Sequence, residues 1–406
     1  MAANSSPSQG KSTMDDPEMN APPKNETEEQ QTKKMLKRVM ALAQAFIAIA
    51  TSILTAAFSV GKNVKLYRHV LVAGGCFLVI AYLSALLLVY LNLFLSGCRK
   101  LHMWHLRFIQ LLCVTSGAAL IATNSLLLVL ISEGNGLLSL NLLPIQIIVV
   151  MLAYHATPMR DEAFEAGIKS GRKVALFATA TAFAVQTTLV FGYLNNSSFR
   201  HLGHRFDISV SFLASALSVF LVVATSMPLG YRTEAARDKV LSIVRYLKDA
   251  VIAVLAVTAV TFGQEFLGGD AVLALFPEIA VAVIYYAATL FADEAAAQDP
   301  RGVVEHKMEM LPTAVVATFG FGMLGAAYAA LLGTPEYDLY TKALVFTLLA
   351  AVVSSLGRVA GPLCSSRRDK NTAAWVVFLS NILPIVEMLV AVPPAAKVVI
   401  NSVLVS

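Results

Sequence analysis

The chain has 406 residues, of which 57% are hydrophobic and only 14% charged, with a mean hydropathy of +0.68. This composition excludes a soluble globular domain and describes a protein whose solvent is lipid. The net charge of +5 points to no nucleic-acid partner, because Lys and Arg are dispersed among short loops beside apolar runs, where they orient spans.

Residues 1–36 are rich in Ser, Pro, Asn, Gln, Glu and Lys and cannot bury enough surface to fold, so they are expected to form a disordered tail. Lys33, Lys34, Lys37 and Arg38 then stand against the first span and predict a cytosolic N-terminus. Apolar runs follow near 38–60, 68–95, 106–131, 142–157, 172–194, 207–229, 246–266, 271–292, 310–332, 339–361 and 373–391. Each is long enough to cross a hydrocarbon core about 30 Å thick, or nearly so. Backbone groups in lipid must be satisfied within their own segment, so these runs are helices. The fold class expected is all-α: a multi-pass transmembrane helical bundle of about 11 spans. The Lys and Arg of the even-numbered connections agree with the tail in facing the cytosol. The sequons at Asn195 and Asn196 fall on the opposite, external side and are the glycosylation candidates, whereas those at Asn4 and Asn25 face the cytosol.

One stretch occurs twice. Gly136, Leu140, Leu142 and Pro144 fall on Gly269, Leu273, Leu275 and Pro277 at a spacing of 133, and Asp161-Glu162-Ala163 falls on Asp293-Glu294-Ala295 at 132. A glycine-bearing turn, a proline that opens an apolar segment and an acidic exit recur together, which is the mark of a duplicated unit. Four spans per unit is an even number, so the copies are parallel repeats rather than inverted ones. The organisation expected is a first four-helix repeat over 37–168, a second over 169–300, and a third, shortened copy over 301–406. In the third, Gly333 and Leu339-Tyr340 echo Gly61 and Leu66-Tyr67. No connection is long enough for a folded soluble domain.

Chemistry-bearing residues are few. His102 and His105 form one HxxH pair and His201 and His204 another, but the topology puts them on opposite sides of the membrane, so no metal site is expected. The four cysteines show no CxxC. No P-loop, HExxH, GxSxG or Cys-His arrangement is present, and neither catalytic residues nor a cofactor are expected. Ionisable residues inside spans carry more weight, because a carboxylate at the bilayer centre costs about 2.5–3.5 kcal/mol and faces a partner or a cavity. Glu278 follows Pro277 in the first turn of its span, where the helix dipole favours it and where it also reads as a helix start at the outer interface. In the last span, Asn381, Pro384 and Glu387 share one apolar segment. Pro384 kinks the helix and frees the Ser380 carbonyl. Asn381 and Glu387, six residues apart, do not share a face on a straight helix. Broken helices with polar groups near the midplane are what transporters use for substrates and ions; the competing reading is an ordinary kink with Glu387 at the outer interface. Gln44, Gln110, Asn124, Gln146 and Gln186 complete the polar set, and uncharged amides bond between helices more often than they bind substrate. The recurrence of Thr318, Gly322, Ala326 and Ala330, and of Ala178 and Ala182, at every fourth position reads as close helix packing.

Three functions compete at this stage. The first is a transporter or channel-like carrier of a small solute or ion, with Asn381, Pro384, Glu387 and Glu278 along its path. The second is a non-transport scaffold or regulator whose N-terminal tail and cytosolic loops bind protein partners, and the third is a lipid-modifying enzyme. Beyond the lipid bilayer, the partners expected are a small solute or ion and proteins at the tail.

Overall fold

The computed structural model describes residues 28–59, 68–95, 103–132, 142, 144–146, 162–195, 206–226, 234–284, 287, 310–331, 337–360 and 374–405. Among these residues the chain is helical throughout, apart from Tyr337 and Asp338, and holds no strand. The long elements are α1 (Glu28–Ser59), α2 (Arg68–Leu95), α3 (Met103–Ser132), α4 (Glu162–Asn195), α5 (Phe206–Ser226), α6 (Glu234–Leu267), a 3₁₀ helix (Gly268–Leu275) that continues helically over 276–284, α7 (Met310–Leu331), α8 (Leu339–Ala360) and α9 (Ala374–Val405). Seven described helices are long and apolar enough to cross a membrane. The protein is a helical membrane protein. Its outer surface fits that solvent: α2 turns Val79, Ile80, Leu83, Leu87 and Phe94 outward, each more than 40% exposed, as lipid-facing side chains do. The fourth span of the proposed first repeat and the tail fall largely outside the described residues.

The apolar run Lys239–Ile284 has 46 residues, which as one α-helix would span about 69 Å, more than twice a bilayer core. It is not one crossing. Gly268 has φ 59°, the left-handed conformation that ends helices and that glycine adopts without penalty. The rings of Phe266 and Tyr337 lie 4.8 Å apart just before α8 begins. Glu278, however, reaches Gly357 near the far end of α8. From Leu339 to Gly357 is about 27 Å of helix, and the twelve residues from Phe266 to Glu278, mostly at the 3₁₀ rise, cover about 24 Å. The chain therefore turns at Gly268 and returns along α8. Ala271 and Ala274, three apart and buried, give the 3₁₀ helix a small-residue edge at its own period.

Helix pairing follows a regular plan. Within α1–α2–α3, α4–α5–α6 and α7–α8–α9, neighbours pack on each other and the first helix also touches the third. Between the sets, α1 packs on α4 as α4 packs on α7, and α3 packs on α5 as α6 packs on α8. Small residues permit the close approaches: the β-carbon that Gly325 lacks would meet the Thr188 hydroxyl and Val185 of α4, and that of Gly322 would stand 3.7 Å from Ala184. The same α7 stripe has a second edge. Thr318, Gly322 and Ala326 also line an outward-opening groove of about 700 Å³ beside Ser52 and Phe319.

α8 and α9 run antiparallel. Leu344 and Leu348 cluster with Ala391 and Met388, while the Lys397 ammonium lies 6.0 Å from the Tyr340 ring centre. α9 does not end at Pro393-Pro394, where the apolar run suggests a stop, but continues to Val405. Twenty residues from its start those prolines stand about 30 Å along the axis, at the far border of a bilayer core, where water can take the two carbonyls they leave without a donor.

Candidate functional site

The charged centre is built from the last turns of α8. Ser354, Gly357 and Arg358 occupy positions i, i+3 and i+4 and so share one helix face. Gly357 has no side chain, and the carboxylate of Glu278 lies where a β-carbon would stand. Arg358, next in sequence, is 3% exposed. From the other side comes α9, whose buried stripe is Pro384, Glu387 and Ala391. Glu387 is 9% exposed. Its Oε1 accepts a hydrogen bond from the Ser354 hydroxyl at 3.2 Å, while its Oε2 is buried with no hydrogen-bond partner among the described residues. Arg358 and Glu387 both lie within electrostatic reach of Glu278. Glu278 thus faces both a guanidinium and a second carboxyl group inside an apolar bundle; with all three groups ionised the cluster would carry one negative charge.

Of the residues singled out from sequence, the fold brings Glu278 and Glu387 together, with Pro384 one turn from Glu387 on the same buried face. Glu278 sits beside the C-terminal turns of α8, well away from the Gly268 turn and Tyr337. Asn381 lies on α9, one turn before Pro384, and its side chain is outside the described residues. Asn195 is the last residue of α4, while Asn196 and the His102, His201 and His204 positions are outside the described residues. Sequence reasoning missed Arg358 and Ser354. Arg358 closes an apolar run, where a basic residue is explained by the membrane border. The signal that could have found it is the pair of isolated intramembrane carboxylates, which require a cation somewhere.

A second buried polar side chain, Gln146, is uncharged. At the 132 spacing, Ile147, Val149, Tyr154 and Thr157 fall on Ile279, Val281, Tyr286 and Thr289, and Gln146 falls on Glu278. Gln146 is 1% exposed. Its amide lies 3.5 Å from the β-carbon position of Gly117 on α3, where Val223 of α5 also converges. Neither amide atom of Gln146 has a hydrogen-bond partner among the described residues.

The other amides bond between helices. Asn124 Nδ2 donates to the Phe212 carbonyl at 2.8 Å, Gln186 Nε2 donates to Asn124 Oδ1, and Asn92 Nδ2 donates to the Leu36 carbonyl. These bonds tie α3 to α5, α4 to α3 and α2 to α1. Gln44 instead faces outward.

No protein-family model, curated protein or solved structure matches this chain.

Proposed function

We propose that the protein is a membrane carrier of a small solute or ion, with Glu278, Arg358 and Glu387 as its binding centre. The observation that carries this reading is the convergence of two carboxylates and one guanidinium, from segments far apart in sequence, in the interior of an apolar bundle. Taking such groups out of water costs several kcal/mol per ion, and intramembrane ionisable residues of this kind mark ion and substrate pathways. A purely structural role would be served as well by apolar side chains of similar volume.

The carrier is built from about 11 spans as parallel four-helix repeats, the third shortened, with its N-terminus in the cytosol. The recurrence of α1–α4 pairing as α4–α7, and of α3–α5 as α6–α8, supports the repeat plan. The concentration of Lys and Arg on the tail side supports the orientation. Asn381, one turn before Pro384, extends the path along α9.

The test is thermal unfolding of the detergent-purified protein against a panel of ions, sugars, amino acids and organic acids. A ligand bound only by the folded state at a hundredfold excess over Kd adds about 2.7 kcal/mol. A selective shift that disappears in Glu387→Gln is the expected result. A panel in which Glu387→Gln responds like the parent to every ligand would reject the centre.

A further inference from the structure

We infer that the ion handled at the Glu278–Arg358–Glu387 centre is a proton, held by the carboxylate pair and exchanged in turn with the two sides of the membrane. This rests on the carrier reading above and specifies its coupling ion.

Three observations lead there. First, the centre is tight: the Glu278 carboxylate occupies the place of the missing Gly357 side chain, against the backbone of α8. A proton needs no volume of its own. Second, a metal cation would have to sit beside the buried Arg358 guanidinium, which repels it, and would find few oxygens beyond the two carboxylates and Ser354. A proton joins a carboxylate covalently and removes the excess charge without a coordination shell. The buried Oε2 of Glu387, without a donor among the described residues, is the atom placed to carry it. Third, at the 132 spacing an uncharged residue falls on Glu278. Gln146 is an amide, the uncharged shape of a protonated carboxyl, and it too is buried against a glycine and a middle helix.

Among the described residues, the charges that stand nearest this level on the neighbouring elements are those of α6. α7 contains no Asp, Glu, His, Lys or Arg; its one titratable side chain, Tyr328, packs on Phe262. On α8 the next charged residue is Lys342, sixteen positions away, about 24 Å along the helix. On α9 it is Lys397, which lies over Tyr340. On α6, Lys248 and Asp249 stand 18 and 17 residues before Phe266, about 27 Å and so level with Gly357, but pair with each other at 3.4 Å and add no net charge; Lys239 and Arg245 are exposed, and Glu265 stands at the Gly268 turn. On the 3₁₀ helix Asp270 is exposed.

The coupling follows from charge. With one proton bound the centre is neutral, two carboxyl groups against one guanidinium; with none it carries one negative charge. A buried net charge is costly in lipid, so the loaded centre turns more readily than the empty one, whose return outward carries one negative charge and is driven by an interior-negative potential.

The experiment uses full-length protein in liposomes enclosing pyranine, with internal potassium and valinomycin setting an interior-negative potential. The expected result is acidification of the interior by wild type, with an initial rate that falls about tenfold or more in Glu387→Gln and in Glu278→Gln and that Glu387→Asp retains in part. Each variant is checked for a monodisperse elution profile. Infrared difference spectra between alkaline and acidic buffer read the proton directly: a protonated-carboxyl C=O band in wild type, lost in Glu387→Gln or Glu278→Gln, is expected. Acidification and a carboxyl band unchanged in both glutamine variants would overturn the inference. Uptake of tracer sodium or rubidium that depends on Glu387, with no acidification and no band, would overturn the proton and leave the carrier standing. No Glu387-dependent flux, band or ligand shift would remove both.

Discussion

Gln146 and Glu278 are two buried or half-buried polar side chains, two residues after Pro144 and one after Pro277, yet one is neutral and the other ionisable. At the first, an amide meets Gly117 and Val223, and Thr225 stands nearby in sequence. At the second, a carboxylate meets Gly357, and Arg358 and Glu387 come with it. The acid at the second place comes with a base, whereas the amide at the first lies beside a glycine and a valine. A carboxylate alone at the first place would be a buried charge without a partner, and an arginine alone would be the same with the sign reversed. What the comparison teaches is that a helix-packing plan tolerates either freight, provided the charges arrive as a set.

The largest effect should come from breaking the set. Arg358→Leu leaves two carboxylates without their cation and is expected to cost roughly 3–5 kcal/mol, seen as a large fall in the thermal midpoint in detergent. Adding Glu278→Gln to that variant should recover part of the loss, because one of the stranded charges is then removed. A midpoint unchanged by Arg358→Leu would mean that the guanidinium does not serve the pair. Next comes the converse, charging the neutral place. Gln146→Glu should cost about 2.5–3.5 kcal/mol if the side chain stays in its apolar setting as an ion. Thr225→Arg on top of it should regain stability if the two places are equivalent, and should cost still more if they are not. A double-mutant cycle on thermal midpoints separates these outcomes. The smallest effect belongs to the neutral network itself. Asn124→Leu removes the bonds to the Phe212 carbonyl and to Gln186, and interhelical bonds of this kind in membranes are worth about 0.6–1.7 kcal/mol. It should lower the midpoint modestly and leave flux through the charged centre unchanged; a loss of flux at full folding would place Asn124 on the path.

Much of the centre could be read as parts but not as a whole. Glu278, Pro384 and Glu387 stand out in the sequence because ionisable and helix-breaking residues are rare in apolar runs. Arg358 does not, since a basic residue at the end of a span has an adequate explanation at the membrane border. Ser354 is one hydroxyl among many, most of which bond back to their own helix, as Ser355 does to the Ala351 carbonyl at 2.7 Å. Only the antiparallel register of α8 against α9 selects Ser354 as the donor to Glu387.

The sequence by itself determined the solvent, the helical class and the approximate segments, because hydropathy and length act locally and lipid permits few backbone arrangements. It also shows one short residue pattern twice, since similarity at a nearly fixed spacing needs no fold to be seen. The tertiary structure decided which charges meet. Glu278, Arg358 and Glu387 are separated by 80 and 29 residues, and nothing in their local sequence encodes their proximity. It depends on the turn at Gly268, on a glycine at 357 that admits a carboxylate to the backbone, and on the packing of α8 between the returning segment and α9. These are properties of contacts between helices.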